Sequence, residues 1–178
     1  MTAEAQPVHP ARLPLEQLLA ECDIRRLKRS GPGGQHRNKV ETAVVITHRP
    51  TGTTAEANER RSQSENHRQA VFRLRKRLAL EVRTDQGESP DRNLPEPSLL
   101  WRSRCVNRRI AIREDHADFP ALLAEVLDLW VQSGKDIKLA ADHLDCTVSQ
   151  LVKFLKIEPR ALGLINTDRQ SQGLAALK

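Results

Sequence analysis

Gly33, Gly34 and Gln35 stand at the centre of the stretch RSGPGGQHRNK, residues 29–39. Three glycines and a proline sit among cations and are followed at once by a neutral amide. Such a stretch offers backbone freedom, positive charge and one uncharged side chain at its tip. It is not a Walker A loop, which needs GxxxxGK[ST], nor a GxGxxG dinucleotide loop. No Ser–His–acid order suggests a self-contained hydrolase, and no paired carboxylates flank the loop. Cys22, Cys105 and Cys146 are far apart, and the six histidines are scattered without ligand spacing. Neither a disulfide framework nor a metal is expected, and no cofactor is called for.

The charge of the chain is uneven. Residues 1–110 carry 21 Lys and Arg against 13 Asp and Glu, while residues 111–178 carry 8 against 10. The first part suits a polyanion and the second does not. Aromatic residues make up 3% of the chain and tyrosine is absent, so base-stacking platforms are scarce. Contact with nucleic acid is expected through phosphate and shape, as for structured RNA. No apolar run is long enough to span a bilayer, and the first residues lack the pattern of a signal peptide. Unpaired cysteines suit a reducing compartment, so a cytoplasmic monomer with no membrane contact is expected.

The elements that must position the loop are legible in outline. The fold class expected is α+β: a small mixed β-sheet with a packed helix, followed by an all-α module of helix-turn-helix type. Residues 1–22 read as a disordered lead-in and a short helix with Leu15, Leu18 and Leu19 at helical spacing. Residues 23–84 read as the loop-bearing domain. DIRRLKRS is a basic strand and ETAVVITH the clearest strand, bounded by the turn RPTG; TTAEANERRS supplies its hairpin partner. Ser62 with Glu65 forms a capping box that opens a helix running to about Val82. Val71, Leu74, Leu78 and Val82 make its apolar stripe, while Arg68, Arg73, Lys76 and Arg77 lie off it and can face RNA.

Residues 85–111 read as a linker and a basic bridge, and residues 112–178 as the helical module. Asp118 is expected to cap a helix whose apolar face runs from Phe119 to Trp130, stopped at Gly134. DIKLAADHLDCTVSQLVKFLK has helix-turn-helix layout, with Asp145 where the turn usually has glycine. Its second helix offers few base-reading side chains. A packing or docking role, with a protein partner, is therefore expected over DNA reading.

SGPGGQHRNKVETAVVITHRPTG followed by RRSQSENHRQAVFRLRKRL resembles the peptidyl-tRNA hydrolase domain of class I peptide chain release factors, over roughly residues 24–82. The matching residues are Ser30-Gly31, Gly33-Gly34-Gln35, Asn38-Lys39, Glu41, Thr47-His48, Pro50-Thr51-Gly52, Arg61-Ser62-Gln63, Asn66 and Leu78. The resemblance implies a substrate: the ester joining a peptide to the tRNA 3′ end, held in the peptidyl transferase centre of the large ribosomal subunit. It also implies a mechanism in which Gly33, Gly34 and Gln35 are catalytic. The Gln35 backbone N–H faces the reaction centre, where negative charge develops, and its side chain helps form a water pocket. A Cβ at Gly33 or Gly34 would obstruct the turn and its close approach to RNA. Lys28, Arg29, Arg37, Asn38, Lys39 and Arg61, together with the helix cations, are then placed to contact RNA. The free loop is expected to be mobile and nearly inert without the ribosome.

Residues 83–178 do not resemble the stop-codon-reading part of a full release factor. The tail NTDRQSQGLAALK is not the basic tail of known rescue factors. The expected function is ribosome-dependent, codon-independent hydrolysis of peptidyl-tRNA in stalled complexes. The alternatives are a non-hydrolytic ribosome-binding quality-control factor and a DNA-binding regulator.

Overall fold

The structure, a computed structural model, describes residues 8–28, 41–84 and 94–178. Contacts divide the chain into two units, Val8–Val82 and Arg83–Lys178. In the first unit, α1 (Leu15–Ala20) precedes three strands, β1 (Cys22–Leu27), β2 (Ala43–His48) and β3 (Thr54–Ala57), and the long helix α2 (Gln63–Glu81). The sheet order is β1-β2-β3. Every pairing is antiparallel, where a mixed sheet was the expectation. The five residues between β2 and β3 leave no room for the crossover that a parallel pair needs. Gly52 takes φ +70 in that turn, and its N–H donates to the His48 carbonyl at 2.8 Å.

Alternation along the strands puts Val44, Ile46 and His48 on one face of β2, with Ala55 and Ala57 of β3 beside them. All are buried, as are Ala70, Val71, Leu74 and Leu78 of α2. The strand alanines let the helix lie close to β2 and β3. Burial of each large aliphatic side chain here contributes about 1.5–3 kcal/mol. Ser62 caps α2, its Oγ accepting from the Glu65 N–H at 3.4 Å, and the helix ends at Glu81 with Val82 already extended.

Residues 8–13, read from sequence as part of a disordered lead-in, are built into this unit. His9 is 1% exposed. Its Nδ1 accepts from the Ala11 N–H at 3.0 Å, and its Nε2 donates to the Val82 carbonyl at 3.1 Å. Arg75 of α2 donates to the Leu13 carbonyl at 2.6 Å. The segment satisfies the end of α2, a contact that its short, proline-containing sequence does not announce.

The second unit comprises α3 (Leu99–Arg104), a hairpin of β4 (Cys105–Val106) and β5 (Arg109–Ile110), α4 (Phe119–Gln132), α5 (Ile137–His143), α6 (Val148–Leu155) and α7 (Pro159–Ser171). Residues 99–110, expected to be a bridge, contribute to the core of this unit. Trp101 is buried, donates from Nε1 to the Leu144 carbonyl at 2.8 Å, and meets Phe154 edge-on at 5.9 Å. Phe119 joins that cluster, 5.4 Å from Phe154. The hairpin turns on Asn107 and Arg108, both at positive φ, as a two-residue primed turn requires. Asp145 takes φ +48 between α5 and α6.

Asp118 does not cap α4 with its side chain. Its carboxylate instead pairs with Arg104 at 2.7 Å, an ionised partner that competes well with a backbone N–H. No helix among the described residues is long and apolar enough to cross a membrane.

Candidate catalytic loop and RNA interface

Leu27 and Ala43 form the last pair of the β1–β2 ladder. Residues 28–42 therefore leave and return at one point on the sheet end. Gly33, Gly34 and Gln35 lie in that connection, outside the described residues, as do Arg29, Arg37, Asn38 and Lys39. The expected mobility of the loop also falls there.

The return leg is held by the first turns of α2. Asn66 is fully buried. Its Nδ2 donates to the Thr42 carbonyl at 2.7 Å and to the Arg60 carbonyl at 2.9 Å, while its Oδ1 accepts from the Arg60 N–H at 2.9 Å. Gln63 Nε2 donates to the Glu41 carbonyl at 3.1 Å. Asn66 is thus a positioning residue that carries a buried polar group at the head of the helix's apolar row. A polar side chain four residues ahead of Ala70, Leu74 and Leu78 is the sequence signal for it.

The candidate RNA-contacting cations separate into two sets. Lys28, Arg61 and Arg68 are exposed, and no hydrogen bond or ion pair with another described residue engages them. They flank the loop end of the sheet. Arg73 and Arg77, farther along α2, are engaged by the fold itself. Arg73 Nη1 donates to the Glu56 carbonyl at 2.8 Å and lies 2.6 Å from Glu59 Oε1. Arg77 donates to the Thr54 carbonyl and, at 3.2 Å, to Glu81. These two side chains fasten the helix to β3. Lys76 is half-buried and has a partner. Arg25 and Arg26 of β1 and His67 of α2 were not singled out in the sequence. They are likewise without a described partner and belong to the loop-end set.

The opposite end of the sheet carries a second polar constellation. His48 is 1% exposed. Its Nε2 donates to Glu21 Oε2 at 3.0 Å, and its Nδ1 lies 2.8 Å from Thr51 Oγ1. The order hydroxyl–imidazole–carboxylate is that of a nucleophile triad. Here Thr51 Oγ1 also accepts from the Thr53 N–H at 3.3 Å and donates to Thr53 Oγ1 at 3.1 Å, which closes the β2–β3 turn. Cys22↔His48 and Leu27↔Ala43 mark the two ends of one ladder, about 17 Å apart at strand rise. The constellation is a turn staple distant from the loop.

In the second unit, the hairpin lies against the helix-turn-helix. Cys105 Sγ donates to the Asp145 carbonyl at 3.6 Å, Arg108 to the Cys146 carbonyl at 3.3 Å, and the Ile110 N–H to Gln150 Oε1 at 3.4 Å. Gln150 lies in the first turn of α6, where a DNA reader would direct side chains to base edges. Burial pushes the Cys146 thiol up to about 12. Among the described residues, no three His, Cys, Asp or Glu side chains form a metal-sized group.

Comparison with known proteins accords with this geometry. Residues 17–114 match the RF-1 domain family, from α1 through the loop and α2 to just past the β4–β5 hairpin. Over 70 residues the chain is 49% identical to peptide chain release factor 1 of Nitrosomonas eutropha, covering 39% of this chain and 20% of that protein. It is 44% identical over 83 residues to peptide chain release factor 2 of Aromatoleum aromaticum, covering 46% of this chain and 23% of that protein. The chain thus spans about a fifth of the length of the curated relatives it matches. Matched over more than half of its own length, by a region that holds the GGQ connection and the sheet and helix that frame it, the chain belongs to the RF-1 domain family.

Proposed function

We propose that this protein hydrolyses the ester of peptidyl-tRNA on the ribosome, independently of a stop codon, and so frees the nascent peptide from stalled complexes. The observation that carries the reading is the placement of the GGQ connection. It springs from a sheet end where cations without a partner among the described residues gather, within the stretch matched to the RF-1 domain.

In the reaction, a water oxygen attacks the ester carbonyl carbon. The bond from that carbon to the ribose 3′ oxygen breaks, and a proton ends on the departing ribose oxygen. Negative charge grows on the carbonyl oxygen and then on the ribose oxygen. The Gln35 backbone N–H is the donor assigned to this charge; a preplaced donor contributes several kcal/mol. No side-chain acid or base is needed, and the ribosome completes the site. Gly33 and Gly34 allow the approach of backbone to RNA. Lys28, Arg29, Arg37, Asn38, Lys39, Arg61 and Arg68 hold RNA around it.

Residues 23–84 are the catalytic domain in this reading, and the helical module 112–178 takes part in choosing the target ribosome through a protein contact. The test is peptide release from ribosomes that hold peptidyl-tRNA and an empty A site, with and without a stop codon. Equal release in both supports the reading. Release only with a stop codon removes codon independence, and ribosome binding without release favours the non-hydrolytic alternative.

A further inference from the structure

The β4–β5 hairpin has two faces. Cys105 and Ile110 form one pair, and Cys105 Sγ donates to the Asp145 carbonyl, so this face lies on the helix-turn-helix. Val106 and Arg109 form the other pair, which alternation turns away from it. Val106 is 60% exposed, and Arg109 is exposed as well. The bond from the Ile110 N–H to Gln150 Oε1 sets β5 along α6. On α6, Leu151, Val152, Phe154 and Leu155 are buried. Lys153 and Lys156 occupy its exposed side, about one and two turns beyond Gln150. Hairpin and helix thus share a face with one bare apolar side chain and three cations, Arg109, Lys153 and Lys156. None of the three makes a hydrogen bond or ion pair with another described residue. Several other cations of this unit are neutralised within it, as Arg104 is by Asp118, Lys135 by Asp168 and Arg160 by Glu158.

We infer that this face docks an acidic segment of a ribosomal protein. This rests on the ribosomal reading above, in which the helical module chooses its target through a protein contact. Charge complementarity sets the sign of the partner. Like charges held on one face without counter-charges repel one another, and carboxylates brought against them relieve that repulsion and steer the encounter. Val106 adds an apolar contact that a protein side chain can cover. The same face is poorly suited to RNA. Asp142 and Asp145 are exposed beside the hairpin. Arg108 is held by the Cys146 carbonyl and lies 3.7 Å from Asp142 Oδ1, so the fold already engages it. A phosphate backbone is an unbroken run of negative charge and meets these carboxylates wherever it crosses. A protein segment can set neutral or basic side chains opposite them and acids opposite the three cations. The hairpin lies within the stretch matched to the RF-1 domain and α6 lies beyond it. The face therefore exists only where the helical module is joined to that domain.

Photocrosslinking of the full chain on purified ribosomes with peptidyl-tRNA and an empty A site tests this. A benzophenone amino acid replaces Val106, and a second variant carries it at Lys28 as a positive control. The expected product joins position 106 to a net-acidic peptide of a ribosomal protein, identified by mass spectrometry. It should be lost when Arg109→Glu, Lys153→Glu and Lys156→Glu are added. A product with RNA or with a peptide of no net negative charge would overturn the inference. So would a product that survives the charge reversal, or none at 106 while the control reacts. A second arm carries the triple reversal without the crosslinker, with alanine at the three positions in its place if the reversal lowers the thermal melt. The protein concentration for half-maximal peptide release should rise at least tenfold for the reversal and at least threefold for alanine, with the maximal rate within twofold. A wild-type release curve would sink the idea. If the wild-type chain binds ribosomes but releases no peptide, the functional reading fails, and the crosslink still decides the face.

Discussion

Asn66 Nδ2 lies 2.7 Å from the carbonyl oxygen of Thr42, with Asn66 wholly out of solvent. This bond ties the first turns of α2 to the residue on which the GGQ connection lands before β2. Asn66→Ala leaves the Thr42 carbonyl and both backbone groups of Arg60 without these partners. The expected loss is about 1–3 kcal/mol of stability, read as a lower denaturant midpoint. Peptide release should fall further than ribosome binding, because the loop loses its footing while the cations remain. Asn66→Asp sets a second carboxylate oxygen against the Thr42 and Arg60 carbonyls in a site out of solvent, so it should lower the midpoint at least as far as Asn66→Ala. An unchanged midpoint for Asn66→Ala would show that the bond does not hold the loop.

Catalysis should depend on the loop backbone. Gly34→Ala is expected to abolish release while ribosome binding stays within a few-fold, as measured by co-sedimentation and single-turnover release. Gln35→Ala should keep measurable activity, since its N–H persists. Gln35→Pro has no N–H and should be inactive. Wild-type release by Gly34→Ala would remove Gln35 and its neighbours from the mechanism.

The two sets of arginines should respond differently. Replacing Arg61 and Arg68 by alanine removes side chains without a described partner. It should leave the melting temperature unchanged and reduce the slope of log affinity against log salt by roughly 1.4, at about 0.7 per phosphate contact. Replacing Arg73 and Arg77 removes their bonds to the Glu56 and Thr54 carbonyls and should lower the melting temperature first. An unchanged slope in the first variant would place the RNA footprint elsewhere.

Deletion of the helical module should leave the first unit folded and lower release from stalled ribosomes. A chain ending near Asp91 tests this by circular dichroism and release kinetics. Full activity would put target selection within the RF-1 domain itself. In the full chain, DNA titration should show only weak, sequence-indifferent binding, because Gln150 of α6 is held by the Ile110 N–H. Nanomolar affinity for one duplex would reverse that assignment.

The cysteines should alkylate in a defined order. Cys22 and Cys146 are buried, and Cys105 is partly exposed. With its thiol pushed up to about 12, Cys146 holds almost no thiolate at pH 8, and the thiolate is the reactive form. Iodoacetamide should therefore modify Cys105 first in the native protein, as mapped by mass spectrometry. Faster labelling of Cys146 would contradict its packing against the hairpin.

The amino-acid sequence by itself determined the parts that local chemistry dictates. The β-branched run at residues 43–48, the turn closed by Gly52, the Ser62 cap and the apolar rows of α2 and α4 are short-range patterns. The GGQ stretch and its family likeness belong to the same class of information. Tertiary structure decided what those patterns leave open. Arg68, Arg73 and Arg77 read alike along the chain. Only the position of β3 beneath the later turns of α2 engages two of them and leaves the first without a partner among the described residues. Asp118 looks like a cap until Arg104, fourteen residues earlier, takes its carboxylate. His9 looks like part of a lead-in until Val82, seventy-three residues later, accepts from its ring. Ile24 alternates like any strand residue, and its exposure follows from a helix that covers two strands of three. In each case the partner is distant in sequence, so no window of neighbouring residues contains the competing interaction that settles the outcome.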